Sequence, residues 1–375
     1  MLRRGVVVMA MVLGALAQAG NPSWRQAAVG YAWSFPRDHH AHPEYKTEWW
    51  YVTGHLFPVD EPGAEPLAMQ QTFFRIGLTR DATADTGSAW AARDLVMGHA
   101  AVADPASGQH VFAEVLWRAV PLLGGFGAPG DSVLAWAQAP PGTDDTWSIA
   151  LDKGAFVLRA RDDRRGLRYE LRARPTKPLV RHGEGGFSAK NAAGTAGSLY
   201  VSATRLAVVG TVWRDGAPVA VQGQAWLDQE VFTSTLADRQ TGWDWLSLQL
   251  DDGRELMLYR LRDARGATDF ALGTLVAVDG TSVSLAADAW SWQPGRTWTS
   301  PATGAVYPVA WRLRVPGADL DLQLESTMPE QENVSARSGV HYWEGAVRAR
   351  TTGGAPVGRG FVELTGYGEG SRPPV

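Results

Sequence analysis

The segment Gly242-Trp243-Asp244-Trp245-Leu246-Ser247-Leu248-Gln249-Leu250, the turn Asp251-Asp252-Gly253 and the run from Arg254 to Arg262 constrain the fold more than any other stretch. Alternating runs on either side of an Asp-Gly turn predict a β-hairpin. On its first strand Trp243, Trp245, Ser247 and Gln249 share one face, and Asp244, Leu246, Leu248 and Leu250 share the other. The aliphatic face packs a core, while the opposite face begins with two indoles and ends polar. A carboxylate on the aliphatic face, Asp244, is costly to bury unless it is paired or lies near a mouth.

A looser version of the unit stands near the start of the chain. Glu48-Trp49-Trp50-Tyr51-Val52-Thr53-Gly54-His55-Leu56 is followed, after a Pro/Gly/Glu-rich loop, by Met69 to Leu78. Each unit sets tryptophans and a carboxylate at a strand start and returns with a strand carrying an arginine, Arg75 or Arg260. We read this as an internal repeat of two similar β units. Short alternating runs separated by turn signals fill the remainder, and helical periodicity is rare, so the chain reads as all-β, built of barrels or sandwiches. Its 375 residues favour two domains. The 42 glycines suit turns and barrel corners, and the 17 tryptophans suit sheets and aromatic-lined pockets.

A net charge of −4 leaves no basic footprint for nucleic acid. The absence of cysteine excludes disulfides, thiolate nucleophiles and sulfur-ligated metals. Met1-Leu2-Arg3-Arg4, the apolar stretch Gly5 to Leu16 and Ala17-Gln18-Ala19 have the form of a cleaved signal peptide over residues 1–19. The expectation is an exported mature protein, periplasmic or secreted, without a transmembrane helix.

Common catalytic signatures are missing: there is no Gly-x-Ser-x-Gly elbow, phosphate loop, dinucleotide fingerprint or His-Glu-x-x-His. No cofactor is expected. His39, His40 and His42 lie beside Asp38 and Glu44 and could hold a metal, but no regular element fixes their geometry, and we assign no metal site. Asn333-Val334-Ser335 is a glycosylation sequon of a kind common by chance. Carboxylates beside aromatic residues do recur: Glu48 with Trp49 and Trp50, Asp228 and Glu230 after Trp226, Asp244 between tryptophans, and Glu344 after Tyr342 and Trp343. Burial against aromatic walls raises a carboxyl pKa and makes a proton donor near neutrality. The same residues serve equally as packed aromatics with a carboxylate bonded to an indole, an arginine or an amide.

Arg37-Asp38-His39, His42-Pro43 and Thr47-Glu48-Trp49-Trp50-Tyr51-Val52-Thr53-Gly54 resemble the opening motif of the AttH-like and carotenoid 1,2-hydratase (hydroxyneurosporene synthase) group, whose members are often labelled predicted secreted hydrolases. The resemblance continues through Gln71 to Arg75, Trp226 to Glu230, Gly242 to Arg260, Tyr342 to Gly345 and Glu363 to Tyr367, nearly the whole mature chain. It implies two tandem lipocalin-like antiparallel β-barrels, divided as 20–227 and 228–375, with the boundary region at Trp226 to Asp238. It also implies a cofactor-independent enzyme that adds water to a C=C bond of a lipophilic, isoprenoid or polyene-like molecule. Two other readings stay open, a carrier of an apolar ligand and a secreted hydrolase. Asp228, Glu230, Asp244 and Glu48 are the candidates for proton handling. Trp50, Trp243, Trp245, Tyr259, Tyr342 and Trp343 are the candidate walls. Relatives usually read Asp-His-Glu-Trp or Asp-His-Asn-Trp where this chain has Asp228-Gln229-Glu230-Val231. A glutamine has neither acid nor base chemistry and a valine has no π face. The departure puts hydration by the family's histidine in doubt.

Overall fold

The computed structural model describes residues 23–80, 88, 90–234, 236–368 and 371–373, so the expected signal peptide lies outside the described residues. Two antiparallel sheets hold most of the chain. The first contains β1 (Thr47–Pro58), β2 (Leu67–Gly77), β3 (Asp94–Asp104), β4 (Gln109–Arg118), β5 (Gly124–Phe126), β6 (Val133–Gln138) and β7 (Thr146–Asp152). It continues through β8 (Ala155–Asp162), β9 (Leu167–Pro175), β10 (Val180–Arg181), β11 (Phe187–Ala189), β12 (Gly197–Arg214) and β13 (Ala217–Phe232). Its strands run 4-3-2-1-13-12-9-8-7-6-5, with β10 and β11 laid against β12. The sheet curls into a nearly closed barrel. Near its seam the Trp117 indole of β4 donates to the carbonyl of Gln138 on β6 at 2.8 Å.

The second sheet contains β14 (Gln240–Leu250), β15 (Glu255–Asp263), β16 (Thr268–Val276), β17 (Ser282–Ala286) and β18 (Ser291–Pro294). A small ribbon, β19 (Thr297–Thr299) with β20 (Val306–Pro308), stands apart. Then come β21 (Ala310–Val315), β22 (Leu320–Ser326), β23 (Glu332–Val334), β24 (His341–Thr351) and β25 (Pro356–Thr365). The order 17-16-15-14-25-24-22-21-18, with β23 against β24, makes a half-barrel. This is the tandem arrangement of antiparallel barrels expected from the sequence. The expected division at 227/228 cuts through β13, which stays in the first sheet as far as Phe232 because it is hydrogen-bonded to both β1 and β12. The second sheet begins with Gln240. Among the described residues no helix is long and apolar enough to cross a membrane.

The hairpin that opened the sequence reading is β14–β15, in which Trp245 faces Tyr259 and Leu248 faces Leu256. Gly253 closes its turn at φ +88°, a left-handed backbone that a side chain would strain. Alternation then decides what each strand buries. Trp50, Val52 and Leu56 of β1 enter the first barrel with Phe73, Trp147 and Tyr169. Leu246, Leu248 and Leu250 of β14 enter the second with Trp311, Trp343 and Val362. Gly345 leaves the space that the Trp343 ring takes in that interior; a Cβ there would lie 1.9 Å from the indole. The outer faces of the same strands are also buried, because they meet. Tyr51, Tyr200, Trp226, Trp245, Tyr259 and Phe361 form one cluster between the sheets. Each such ring removes roughly 150–250 Å² from water, so this seam contributes several kcal/mol per ring as an upper bound.

Polar clamps fix the two barrels against each other. The fully buried Glu255 receives Lys177 at 2.8 Å and Arg205 at 2.6 Å, both from the first barrel. Gln249 donates to the carbonyls of Thr204 (2.8 Å) and Ala225 (2.9 Å). Elsewhere on the seam Asn333 donates to Gln70 at 2.9 Å, and its carbonyl oxygen lies 2.8 Å from the His110 ring. Asn333 is thus buried with both side-chain polar atoms bonded, and the sequon that contains it has no accessible amide.

Candidate active site

The packed outer faces leave a cavity of about 70 Å³ between the barrels. β1 gives it Trp49 and Tyr51; β2 gives Gln70, Thr72 and Phe74; β13 gives Asp228 and Glu230. The second barrel answers with Trp243 and Trp245 from β14, Tyr259 and Leu261 from β15, Tyr342 from β24 and Glu363 from β25. Trp49 stacks with Trp243 across the seam (centroids 6.3 Å, planes 27° apart), and Tyr51 meets Trp245 edge-on at 5.2 Å. Its walls are mostly aromatic with a few convergent polar groups.

Asp228 is the centre of the first wall. Tyr200 donates to its Oδ2 at 2.6 Å, the Trp226 indole to its Oδ1 at 2.6 Å, and the Ser202 hydroxyl also to Oδ1. Tyr200 in turn accepts from the Trp245 indole at 2.9 Å, so the second barrel reaches this carboxyl through one phenol. Burial raises Asp228 to about 7; its three donors work against that rise and the Glu230 charge adds to it. Glu230, two residues along on the same face, is held by Lys190 at 2.7 Å and by the Ser198 hydroxyl. Lys190 also lies 4.1 Å from the Tyr259 ring centroid. Burial pulls this lysine down, but the Glu230 carboxylate more than offsets it and the ammonium stays charged.

Glu363 is its counterpart on the second wall. It accepts from the Trp243 indole at 2.8 Å. Burial, with the Glu230 and Asp228 charges adding to it against the indole's hydrogen bond, lifts Glu363 to about 7. Two carboxyls from different barrels therefore face one aromatic space, each able to hold or release a proton near neutrality.

Of the sequence candidates, the structure brings Asp228, Glu230, Trp243, Trp245, Tyr259 and Tyr342 together in this cavity. It places four elsewhere. Trp50 and Trp343 point into the barrel interiors, their indoles bonded to the carbonyls of His39 (2.8 Å) and Pro329 (2.7 Å). Glu48 and Asp244 also face inward, as the pleat requires for residues one position out of phase with Trp49 and Trp243. Glu48 accepts from the His42 amide (2.7 Å) and from Gln229 (3.0 Å), and lies 2.8 Å from the His42 ring and 3.7 Å from Arg75. Asp244 pairs with Arg260 at 2.6 Å and Arg262 at 2.7 Å and accepts from Tyr367 at 3.0 Å. Each carboxylate stands directly opposite an arginine in its ladder, Glu48 against Arg75 and Asp244 against Arg260. The suspected repeat is thus a paired carboxylate–arginine anchor, one inside each barrel.

The departures at Gln229 and Val231 fall on that same inner side. Gln229 reaches Glu48, and Val231 packs with Tyr45 and Leu199, while Asp228 and Glu230 point the other way. Two histidines of the Asp38–Glu44 loop are held by other protein groups: His42 by Glu48, and His40 by the carbonyls of Arg37 (3.2 Å) and Asp131 (3.1 Å). A serine–histidine contact does exist, Ser202 at 2.6 Å from His182, but Asp228 bonds the serine rather than the imidazole. The other imidazole nitrogen meets Thr274 at 2.9 Å, and burial lowers His182 to about 3. A nucleophile–base–orienter order is absent from this trio.

Tyr200, Lys190, Tyr51, Trp49 and Glu363 also line the cavity and lie outside the residues that the sequence marks as candidates. Tyr200 and Glu363 lie on strands whose alternation puts them in phase with Ser202 and Phe361, but no spacing says that these outer faces are buried. Lys190, in the short Ser188-Ala189-Lys190 run, gave no signal.

A profile of the AttH-like family matches residues 26–367. No curated protein sequence matches the chain. The crystal structure of an AttH protein from Nitrosomonas europaea is similar at 34% identity, covering 92% of this chain and 100% of its own, with a TM-score of 0.79. Kievitone hydratase from Nectria haematococca shares the fold at 14% identity, covering 92% of this chain and 96% of its own, with a TM-score of 0.64. Sequence, strand order and these likenesses agree: the chain belongs to the AttH-like family.

Proposed function

We propose that this protein is an exported enzyme that adds water to a C=C bond of an apolar, isoprenoid or polyene-like molecule held between its barrels. The observation that carries the reading is the pair Asp228 and Glu363, both raised to about 7 and facing one aromatic cavity from opposite barrels. Protonating an alkene needs a carboxylic acid that is still protonated near neutrality, and the water that follows needs a base. The tertiary cation between those steps is favoured by π faces, which Trp49, Trp243, Trp245 and Tyr259 supply. A fold shared with a protein named as a hydratase is consistent with such chemistry, although that likeness concerns the fold alone.

A carrier of a wholly apolar ligand would gain nothing from burying Asp228, Glu230 and Glu363 around its cargo, since each costs desolvation. The hydrolase reading lacks a poised nucleophile at Ser202. The test is incubation of the protein with a panel of acyclic isoprenoids and carotenoid polyenes in ¹⁸O-water, followed by mass spectrometry. A product heavier by one labelled water, made by wild type and absent with Asp228→Asn, supports the proposal. Ligand retained unchanged by both proteins supports a carrier, and cleavage into acid and alcohol supports a hydrolase.

A further inference from the structure

Glu344 stands behind the cavity wall on β24, in direct register with Glu363 on β25. Residues opposed in an antiparallel ladder share a face, with Cβ atoms roughly 4.5–5.5 Å apart. Two buried carboxyls on directly opposed positions cannot both ionise cheaply. Glu344 is 3% exposed; Tyr51 from the first barrel donates to its Oε1 at 2.7 Å, while its Oε2 is buried without a hydrogen-bond partner among the described residues. Tyr342 lies on the same face of β24, and Trp243 bonds Glu363 from β14. Across the gap are Asp228, Glu230 and Lys190, the last being the cation among the described lining residues and already committed to Glu230. Among the described lining residues no counter-ion is left for the glutamate pair, and a proton shared between the two carboxyls would satisfy the orphaned Glu344 oxygen.

We propose that Glu344 is a positioning residue whose carboxyl shares one proton with Glu363, so that the second barrel always presents an acid to the cavity while Asp228 serves as the base. This rests on the hydration reading above and assigns its two roles. Glu363 gives its proton to one alkene carbon, forming C–H as its O–H breaks and leaving the cation on the neighbouring carbon. Water bonds that carbon through oxygen and loses a proton to the Asp228 carboxylate. The cycle closes when Asp228 returns a proton through solvent to the Glu363–Glu344 pair. Asp228 suits the base role because three donors stabilise its carboxylate, against one for Glu363. Burial, and then the charge of Glu363, push Glu344 well above the usual carboxylate range, as a pair sharing a proton requires.

The experiment is a pH titration by NMR of full-length protein carrying ¹³C-carboxyl glutamate, in wild type, Glu344→Gln, Glu363→Gln and Tyr51→Phe. It needs no substrate, so failure of the hydration reading cannot be mistaken for failure of this one. The expected result is a coupled pair in wild type, titrating in two separated steps with the upper one above neutrality. The upper step, the one above that of an isolated buried glutamate, disappears in both glutamine variants, and Glu344→Gln keeps a single Glu363 step at about 7. In Tyr51→Phe the two steps remain and the upper one rises, because the phenol's hydrogen bond to the Glu344 carboxylate is gone. Independent titration of both glutamates below pH 6 in wild type, or an upper step that survives in Glu344→Gln, overturns the proposal. Should Glu344→Gln not fold, the Glu363→Gln and Tyr51→Phe titrations decide alone, since an unmoved upper step in both is equally fatal.

Discussion

Asp244→Asn is expected to damage stability and to leave the cavity intact. The carboxylate is fully buried and neutralises Arg260 and Arg262 at 2.6 and 2.7 Å, with Tyr367 donating a third bond. The amide keeps the shape but not the charge, and one of its two polar atoms becomes a donor facing guanidinium N–H groups. Breaking a buried ion pair by removing one partner costs about 3–5 kcal/mol. Here two cations lose it at once, although Arg260 keeps a carbonyl contact with Trp292 and Arg262 stays bonded to the Thr365 carbonyl and over the Tyr367 ring. We therefore expect a loss of about 3–5 kcal/mol. With a urea m-value of about 2–3 kcal/mol/M for a domain of this size, the unfolding midpoint of the second barrel falls by about 1–2.5 M. The assay is urea unfolding followed by far-ultraviolet circular dichroism, with tryptophan fluorescence reporting the seam. A midpoint within a few tenths of a molar of wild type, together with loss of product formation in fully folded protein, would refute the structural role and return Asp244 to the chemistry.

Asp228→Asn should flatten the dependence of stability on pH. Asp228 is held at about 7 when folded and near the ordinary ~3.9 when unfolded, so its contribution is full below about pH 4 and is lost as pH rises through 7. The variant has no such proton to lose, and its unfolding free energy should fall less than that of wild type between pH 5 and 8; parallel curves would count against the raised carboxyl. Gln229→His puts an imidazole on the inner face beside Glu48, so it should alter thermal stability without changing ligand affinity at the cavity. A changed affinity measured by tryptophan quenching would mean that the two faces are coupled. Expression in a glycosylating host should leave Asn333 bare by peptide mass spectrometry, because its amide is spent inside the seam; a glycan there would require that segment to be open during folding.

The period-two pattern made much of this legible. It gave the hairpin, the aliphatic face of β14, the doubled unit and the arginines that answer Glu48 and Asp244. What alternation could not give is where the odd faces go. Trp49 and Trp50 are neighbours with the same side chain, yet one lines the cavity and the other fills a barrel, and only the register with β2 and β13 decides which. The same phase separates Asp228 and Glu230 from Gln229, which is why a departure that looked damaging in the sequence lies away from the carboxyls. A barrel read alone has a core inside and solvent outside. Here the outer faces of two barrels are apolar as well, and the site exists only because they are pressed together. Lys190, Tyr200 and Glu363 come from short or distant segments whose meeting depends on that contact.

The most direct measurement is a crystal structure of the protein soaked with an acyclic polyene. Ligand density is expected between the sheets, flanked by Trp49, Trp245 and Tyr259 and within reach of Asp228 and Glu363. Density inside the first barrel, among Trp50, Trp147 and Tyr169, would contradict it.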